Sequence, residues 1–153
     1  MKEKGYRLNV GLIIANKQGK VLLCKRKGMN SWQFPQGGID LNESPLKAAK
    51  RELFEETGVQ NIKIINETKG WYYYHLPDHL QKRLWGGKFL GQKQKWFLFN
   101  FEGKDEEINL KAYKKPEFYK WKWVEPKDAC EIIVDFKKKI YKSILKEFNF
   151  INF

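Results

Sequence analysis

Hydrophobic and polar positions mark out the elements of this chain before anything else does. Residues 7–15 (RLNVGLIIA) read as a strand, 16–19 (NKQG) as a turn and 21–25 (VLLCK) as a returning strand. Residues 31–38 (SWQFPQGG) interrupt the pattern with a proline and two glycines and are expected to form a loop. The helix that follows has both ends marked. Ser44 is a good N-cap, Pro45 suits a first helical position where no N–H is needed, and Gly58 is a natural terminator. Leu46, Ala49 and Leu53 recur on one stripe of that helix and should face the core. Further strands are expected at 62–65, 71–75, 95–101 and 119–124. In the last element, 135–148, Phe136, Ile140, Tyr141, Ile144, Leu145 and Phe148 fall at helical spacing. Lys137, Lys138, Lys142 and Lys146 occupy its other face. Residues 77–91 have no readable period. Helices interleaved with strands at this length predict an α/β fold, a mixed sheet between helices.

At 153 residues the chain can close one core and is too short for two ordinary ones. It has no repeat, no proline- or serine-rich linker and no composition break, so residues 1–153 are read as a single domain. A hydrophobic content of 42% with 16% aromatics excludes a disordered chain. The formal charge of +12 attracts polyanions: nucleic acid, nucleotides or an acidic membrane face, unless the lysines serve solubility alone. The two cysteines, Cys24 and Cys130, each lie in an apolar stretch and read as reduced core thiols. The N-terminal segment is charged and has no apolar h-region, so no signal peptide is expected. The run 10–15 is too short to cross a bilayer. A soluble, cytoplasmic protein is the expectation.

The most informative stretch is Gly37-x5-Glu43-x7-Arg51-Glu52-Leu53-Phe54-Glu55-Glu56-Thr57-Gly58-Val59. At roughly 100° per residue, Glu52, Glu55 and Glu56 fall within about a 100° arc of one helix face. Carboxylates so placed repel one another by a few tenths of a kcal/mol per exposed pair. A solvent-exposed acidic face is the plain alternative. Hard divalent cations such as Mg²⁺ or Mn²⁺ give the cluster a purpose, because they prefer oxygen ligands and leave positions open for water and phosphate. The glycine-rich loop would let the backbone approach the ions, with the Gly37 carbonyl as a further ligand. Arg51 can hold Glu43 or Glu52 through a two-pronged hydrogen bond.

The whole stretch matches the Nudix box at every specified position, and on it the chain is identified as a member of the Nudix hydrolases. The resemblance implies the Nudix fold, an α/β/α sandwich around a mixed sheet. It also implies metal-dependent hydrolysis of a phosphoanhydride bond in a nucleoside diphosphate linked to another moiety, with Glu52, Glu55 and Glu56 binding metal.

Outside the box the chain resembles one branch, the bacterial RNA pyrophosphohydrolases and their relatives that cut diadenosine polyphosphates. The likeness is carried by Gly5-Tyr6-Arg7-Leu8-Asn9-Val10-Gly11, SWQFPQGG at 31–38, GQKQKWF at 91–97, Pro116-Glu117-Phe118, Trp121-Lys122-Trp123-Val124, and Phe136-Lys137 with Ile140-Tyr141. It implies removal of pyrophosphate from 5′-triphosphate RNA ends to leave a monophosphate, the step that initiates RNA decay. Asymmetric cleavage of diadenosine tetra- or pentaphosphate is the alternative, and a catalytically silent RNA-binding module is a reading from another class. Glu117 is implied as a further metal ligand or as the base, a role open equally to Glu52 and Glu55. Arg7 and Phe136 would flank the terminal bases, Lys137 would lie near the RNA and Tyr74 near the phosphates. Lys93 and Lys95 would neutralise the polyphosphate. As bare residues, Phe136 fits the core stripe of its helix, Tyr74 an aromatic strand, and the two lysines a solvated pair.

Overall fold

A computed structural model of the chain describes residues 2–3, 5–81, 85–113, 115–133 and 135–150, the side chains of 2, 3, 81, 85, 135 and 136 excepted. The strands are β1 (Lys2–Glu3), β2 (Tyr6–Ala15), β3 (Val21–Arg26), β4 (Trp32–Gln33), β5 (Gln36–Gly38), β6 (Ile62–Glu67), β7 (Tyr72–His75), β8 (Gly91–Phe101) and β9 (Phe118–Val124). The α-helices are α1 (Pro45–Thr57), α2 (Asp78–Gln81), α3 (Pro126–Ala129) and α4 (Asp135–Glu147).

Strand β2 is the centre of the sheet. It runs parallel to β8 along its whole length, from Tyr6 opposite Gly91 to Ala15 opposite Asn100. On its other side it meets β5 antiparallel, with Val10 opposite Gly37, and joins β3 at Ala15 opposite Val21. Strands β4 and β9 pair with β3, and β6 and β7 share the far edge of β8. Parallel and antiparallel neighbours make the sheet mixed, as expected.

Alternation along these strands divides the core in two. Leu8, Val10, Leu12 and Ile14 pack with Phe97, Phe99 and Phe101 against Ala48, Ala49 and Leu53 of α1. Ile13, Ala15, Trp96 and Leu98 face the other way, onto Tyr141, Ile144 and Leu145 of α4 and Phe148 just past its end. A helix buried on each face is the α/β/α sandwich. Both cysteines are buried and free. No helix of the described residues is long and apolar enough to cross a membrane.

Helix α1 begins and ends where its sequence signals put it. Ser44 Oγ accepts from the Lys47 N–H at 3.2 Å, and the Gly58 N–H closes onto Phe54 O at 2.8 Å. Gly58 sits at φ 73°, a left-handed conformation that costs other residues energy.

Other boundaries differ from expectation. The supposed loop 31–38 contains β4 and β5, strands of two and three residues whose pairing is long-range and leaves no local period. Strand β8 begins at Gly91, not at 95, because Gln92 and Gln94 are polar yet buried. The stretch 77–91 holds α2 and a 3₁₀ turn at Trp85–Gly87. Lys137 is a correction too: expected on the solvated face of α4, it is only 8% exposed.

Candidate active site

On the α4 side of β2 and β8 the apolar face gives way, toward the start of each strand, to polar residues. Ile13, Ala15, Trp96 and Leu98 are replaced by Arg7, Asn9, Gln92 and Gln94. Across that boundary opens a cavity of about 470 Å³. Arg7, Gln33, Gln36, Gly37, Glu52, Glu56, Tyr74, Glu117 and Lys137 all contribute to its wall, with Arg26, Gln92 and others. Residues from β2, β4, β5, α1, β7, β8, α4 and the loop before β9 therefore meet in one place. A cavity of equal volume beside residues 16–19 is lined by Lys17, Lys20, Asp105 and Trp123 and holds none of the box carboxylates.

Glycines let α1 and β2 reach this wall. A Cβ on Gly37 would stand 2.1 Å from Glu52 Cδ, and one on Gly38 2.4 Å from Arg7 Nη2. Any side chain at either position would displace a carboxylate or a guanidinium, which is the physical need behind the glycine pair.

Arg51 organises the glutamates from behind. It donates to Glu43 through Nε and Nη2 at 2.8 and 2.9 Å, to Glu52 and Glu55 through Nη1 at 2.9 and 3.2 Å, and to Gly38 O at 2.9 Å. The two-pronged bond from Arg51 holds the Glu43 carboxyl down at about 2. Glu43 is thereby a support, and Glu55 is turned to Arg51, outside the cavity lining. Arg26, which carried no sequence signal, holds Glu117 at 3.3 Å.

Glu52 and Glu56 behave differently from Glu43. Burial lifts the Glu52 carboxyl to about 7 against the pull of Arg51, with Glu55 and Glu117 adding repulsion. Glu56 is 4% exposed, and burial followed by repulsion from Glu117 and Glu52 raises it well above the carboxylate range. Among the described residues, neither Glu56 oxygen has a hydrogen-bond partner. A buried acceptor with no donor is costly unless something absent satisfies it. Glu52, Glu117 and the Gly37 backbone line the same cavity and offer oxygen ligands, the kind that hard divalent cations select. As they stand, no three His, Cys, Asp or Glu side chains among the described residues are gathered closely enough to hold an ion. Arg51 draws Glu52 and Glu55 toward itself. Glu52, Glu56, Glu117 and the Gly37 backbone nonetheless line the same space and fit a cation there.

These shifts set a pH dependence for the metal-free protein. The folded value of Glu52 lies above its ordinary 4.5, so its contribution is full below 4.5 and is lost as pH rises through about 7. Glu43 acts oppositely and in another window, losing its contribution as pH falls from 4.5 through about 2. Melting temperature in a chelator should therefore fall between pH 5 and pH 8, with the raised Glu56 adding to the fall, and Glu52→Gln should make that slope shallower. An unchanged slope in the variant would remove Glu52 from the account.

The cavity's polar wall is a set of locked amides. Gln94 Nε2 lies 2.8 Å from Asn9 Oδ1 and 3.1 Å from Gln36 Oε1, while Trp96 Nε1 donates to Gln94 Oε1 at 3.1 Å. Tyr74, 8% exposed, donates its hydroxyl to Gln92 Oε1, and burial pushes it up to about 12. Sequence reasoning passed over Asn9, Gln36, Gln92 and Gln94. The usable signal was the period-two glutamines leading into Trp96. Lys93 and Lys95 lie outside the cavity lining. Lys93 Nζ sits over the Trp71 ring at 5.1 Å, and Lys95 pairs with Glu67 at 3.1 Å. The Phe136 side chain falls outside the described residues.

Residues 5–145 match the NUDIX domain family. The chain belongs to that family and is one of its hydrolases, enzymes that work with divalent cations. It is 46% identical to a protein from Rhodospirillum rubrum named RNA pyrophosphohydrolase, over 93% of this chain and 86% of that one. A protein of the same name from Hamiltonella defensa is 47% identical over 94% of this chain and 90% of its own. Among solved structures, a C. elegans Ap4A hydrolase binary complex superposes with a TM-score of 0.69 at 22% identity, covering 95% of this chain and 99% of that one. That last likeness is one of fold.

Proposed function

We propose that this protein is an RNA pyrophosphohydrolase, converting a 5′-triphosphate RNA end to a 5′-monophosphate with release of pyrophosphate, and that it acts in cytoplasmic RNA decay. The observation that carries this reading is the identity of 46–47% over 93–94% of the chain to proteins bearing that name. The site's chemistry agrees. A cation-fitting group of carboxylates and a cluster of cations (Arg7, Arg26, Lys137) line one cavity, as a polyphosphate bearing a nucleotide chain would require.

Glu52, Glu56, Glu117 and the Gly37 carbonyl would hold Mg²⁺, with Mn²⁺ able to substitute, and Glu55 would join them on release from Arg51. A bound divalent cation supplies charge cancellation on phosphate oxygens and a more acidic water. Glu52 or Glu117, both at the cavity, would take that water's proton. Arg26 and Lys137 would bind the phosphate chain, Tyr74 would stand beside it, and Arg7 with Phe136 would receive the terminal bases. Lys93 and Lys95 would act only at a distance, through the field they add.

Side-by-side hydrolysis of triphosphorylated RNA and diadenosine tetraphosphate by the pure protein tests this. Faster turnover of RNA with release of pyrophosphate is expected. Preference for the dinucleotide would replace the substrate assignment, and RNA binding without magnesium-dependent cleavage would mean a silent module. Lys137 provides a second check. Burial lowers its ammonium to about 8, and a phosphate beside it would favour the charged form. Lys137→Ala should weaken RNA binding and reduce the slope of log affinity against log salt by about one. A slope equal to that of the unmodified protein would take Lys137 off the RNA.

A further inference from the structure

Gln33 is 3% exposed, lines the active-site cavity, and has no hydrogen-bond partner for its Nε2 among the described residues. A buried amide donor left unpaired is unfavourable, and native proteins rarely keep one without a use. Among the described residues, the other buried side-chain atoms in the same state are the two oxygens of Glu56, and Glu56 lines the same cavity. The sheet brings the two residues to one side. Gln33 of β4 is directly opposite Cys24 of β3, and directly opposed residues point to the same face. Cys24 in turn packs in the core on the α1 side, with Ala49 and Leu53 of the helix that carries Glu56. An unmet donor and two unmet acceptors thus line one cavity.

We propose that Gln33 is a positioning residue for the metal site, its Nε2 donating to the Glu56 carboxylate when a cation is bound, so that one oxygen is held by the amide and the other is aimed at the ion. This rests on the reading of Glu56 as a metal ligand. Donors behind a metal-bound carboxylate fix its orientation, and losing one typically costs about 10- to 100-fold in metal affinity. Nothing in the Nudix box encodes this contact, since Gln33 precedes the box, in β4.

The test is Mn²⁺ binding to the full-length protein without substrate, by titration calorimetry, alongside the melting temperature in a chelator. Gln33→Met keeps the volume and removes the donor, while Gln33→Asn keeps an amide that is one methylene too short to reach. Both should weaken Mn²⁺ binding about 10-fold, and Gln33→Met should melt no lower than the unmodified protein, because the donor it removes has no partner without metal. Should Gln33→Met fail to fold, Gln33→Asn decides alone. Glu56→Gln is the control. If it loses Mn²⁺ affinity while the Gln33 variants bind normally, the inference is overturned and the ligand reading stands. If Glu56→Gln binds Mn²⁺ normally, the ligand reading falls and takes the inference with it. A raised KM for RNA with unchanged Mn²⁺ affinity would assign Gln33 to the substrate and overturn the inference equally.

Discussion

Glu56→Gln should lower turnover on triphosphorylated RNA at least ~100-fold, while the metal-free protein melts at the same temperature or higher. The opposite signs follow from where this carboxyl sits. Buried at 4% exposure, with no hydrogen-bond donor among the described residues and facing Glu52 and Glu117, it is a liability to the fold whenever it ionises. Glutamine keeps the shape and removes the charge. It also removes the anionic oxygen that a divalent cation would bind. A residue kept for stability would show the reverse, a drop in melting temperature with activity following it. Excess Mg²⁺ should raise the melting temperature of the unmodified protein and do little for the variant, by mass action on the folded state. Near-normal turnover in Glu56→Gln would rule out the assigned site.

Glu43 and Arg51 behave as a different group although they belong to the same box. Arg51 has five hydrogen bonds to Glu43, Glu52, Glu55 and Gly38, and its side chain is 27% exposed. It supports the carboxylates and cannot itself bind a cation. The box thus contains two opposing demands: an arginine that gathers the acids and a cation that would compete for them.

What could be read from the sequence follows from how local each signal is. Helix α1 was legible at both ends because Ser44 and Gly58 act on backbone groups three or four residues away. The α/β/α layering was legible because β2 and α4 carry long apolar patterns. Strands β4 and β5 were not, because their hydrogen bonds go to β3 and β2 and nothing nearby announces it. The polar start of β8 was missed for a related reason. Gln92-Lys93-Gln94-Lys95 looks like surface, and only β2, β7 and α4 closing around it make the glutamines interior. Lys137 was placed with the other lysines of its helix by charge, but helical position turns it into the cavity. For Lys93 and Lys95 a basic run suggested phosphate, whereas alternation in β8 sends them to the face opposite Gln92 and Gln94. The box glutamates could be named, but which of them face the cavity and which face Arg51 depends on Gly37 and Gly38 admitting close approach. No spacing rule contains that.

Arg7→Ala should reduce kcat/KM on triphosphorylated RNA by roughly 5- to 150-fold, and Arg7→Lys should recover little of the loss. Arg7 enters the cavity from β2, lying against the Gly38 backbone, in a lining that it shares with Tyr74 and Lys137. A guanidinium can stack flat on a base while its N–H fork still reaches a phosphate, and an ammonium cannot do both. Stacking on a single-stranded base contributes about 1–3 kcal/mol, which gives the stated range on conversion to a rate ratio. A free nucleoside triphosphate offers no downstream base, so its hydrolysis should fall much less. The dependence on Mg²⁺ concentration should stay as it is in the unmodified protein, because Arg7 is not a ligand. Gly38 supplies an independent handle on the same contact. A Cβ there would stand 2.4 Å from Arg7 Nη2 and push the guanidinium aside, so Gly38→Ala should reproduce the RNA-selective part of the Arg7→Ala defect. If Arg7→Ala costs RNA and free nucleotide equally, Arg7 acts on the phosphates alone, and if neither is affected it only solvates the start of β2; either result removes base stacking from the account of this site.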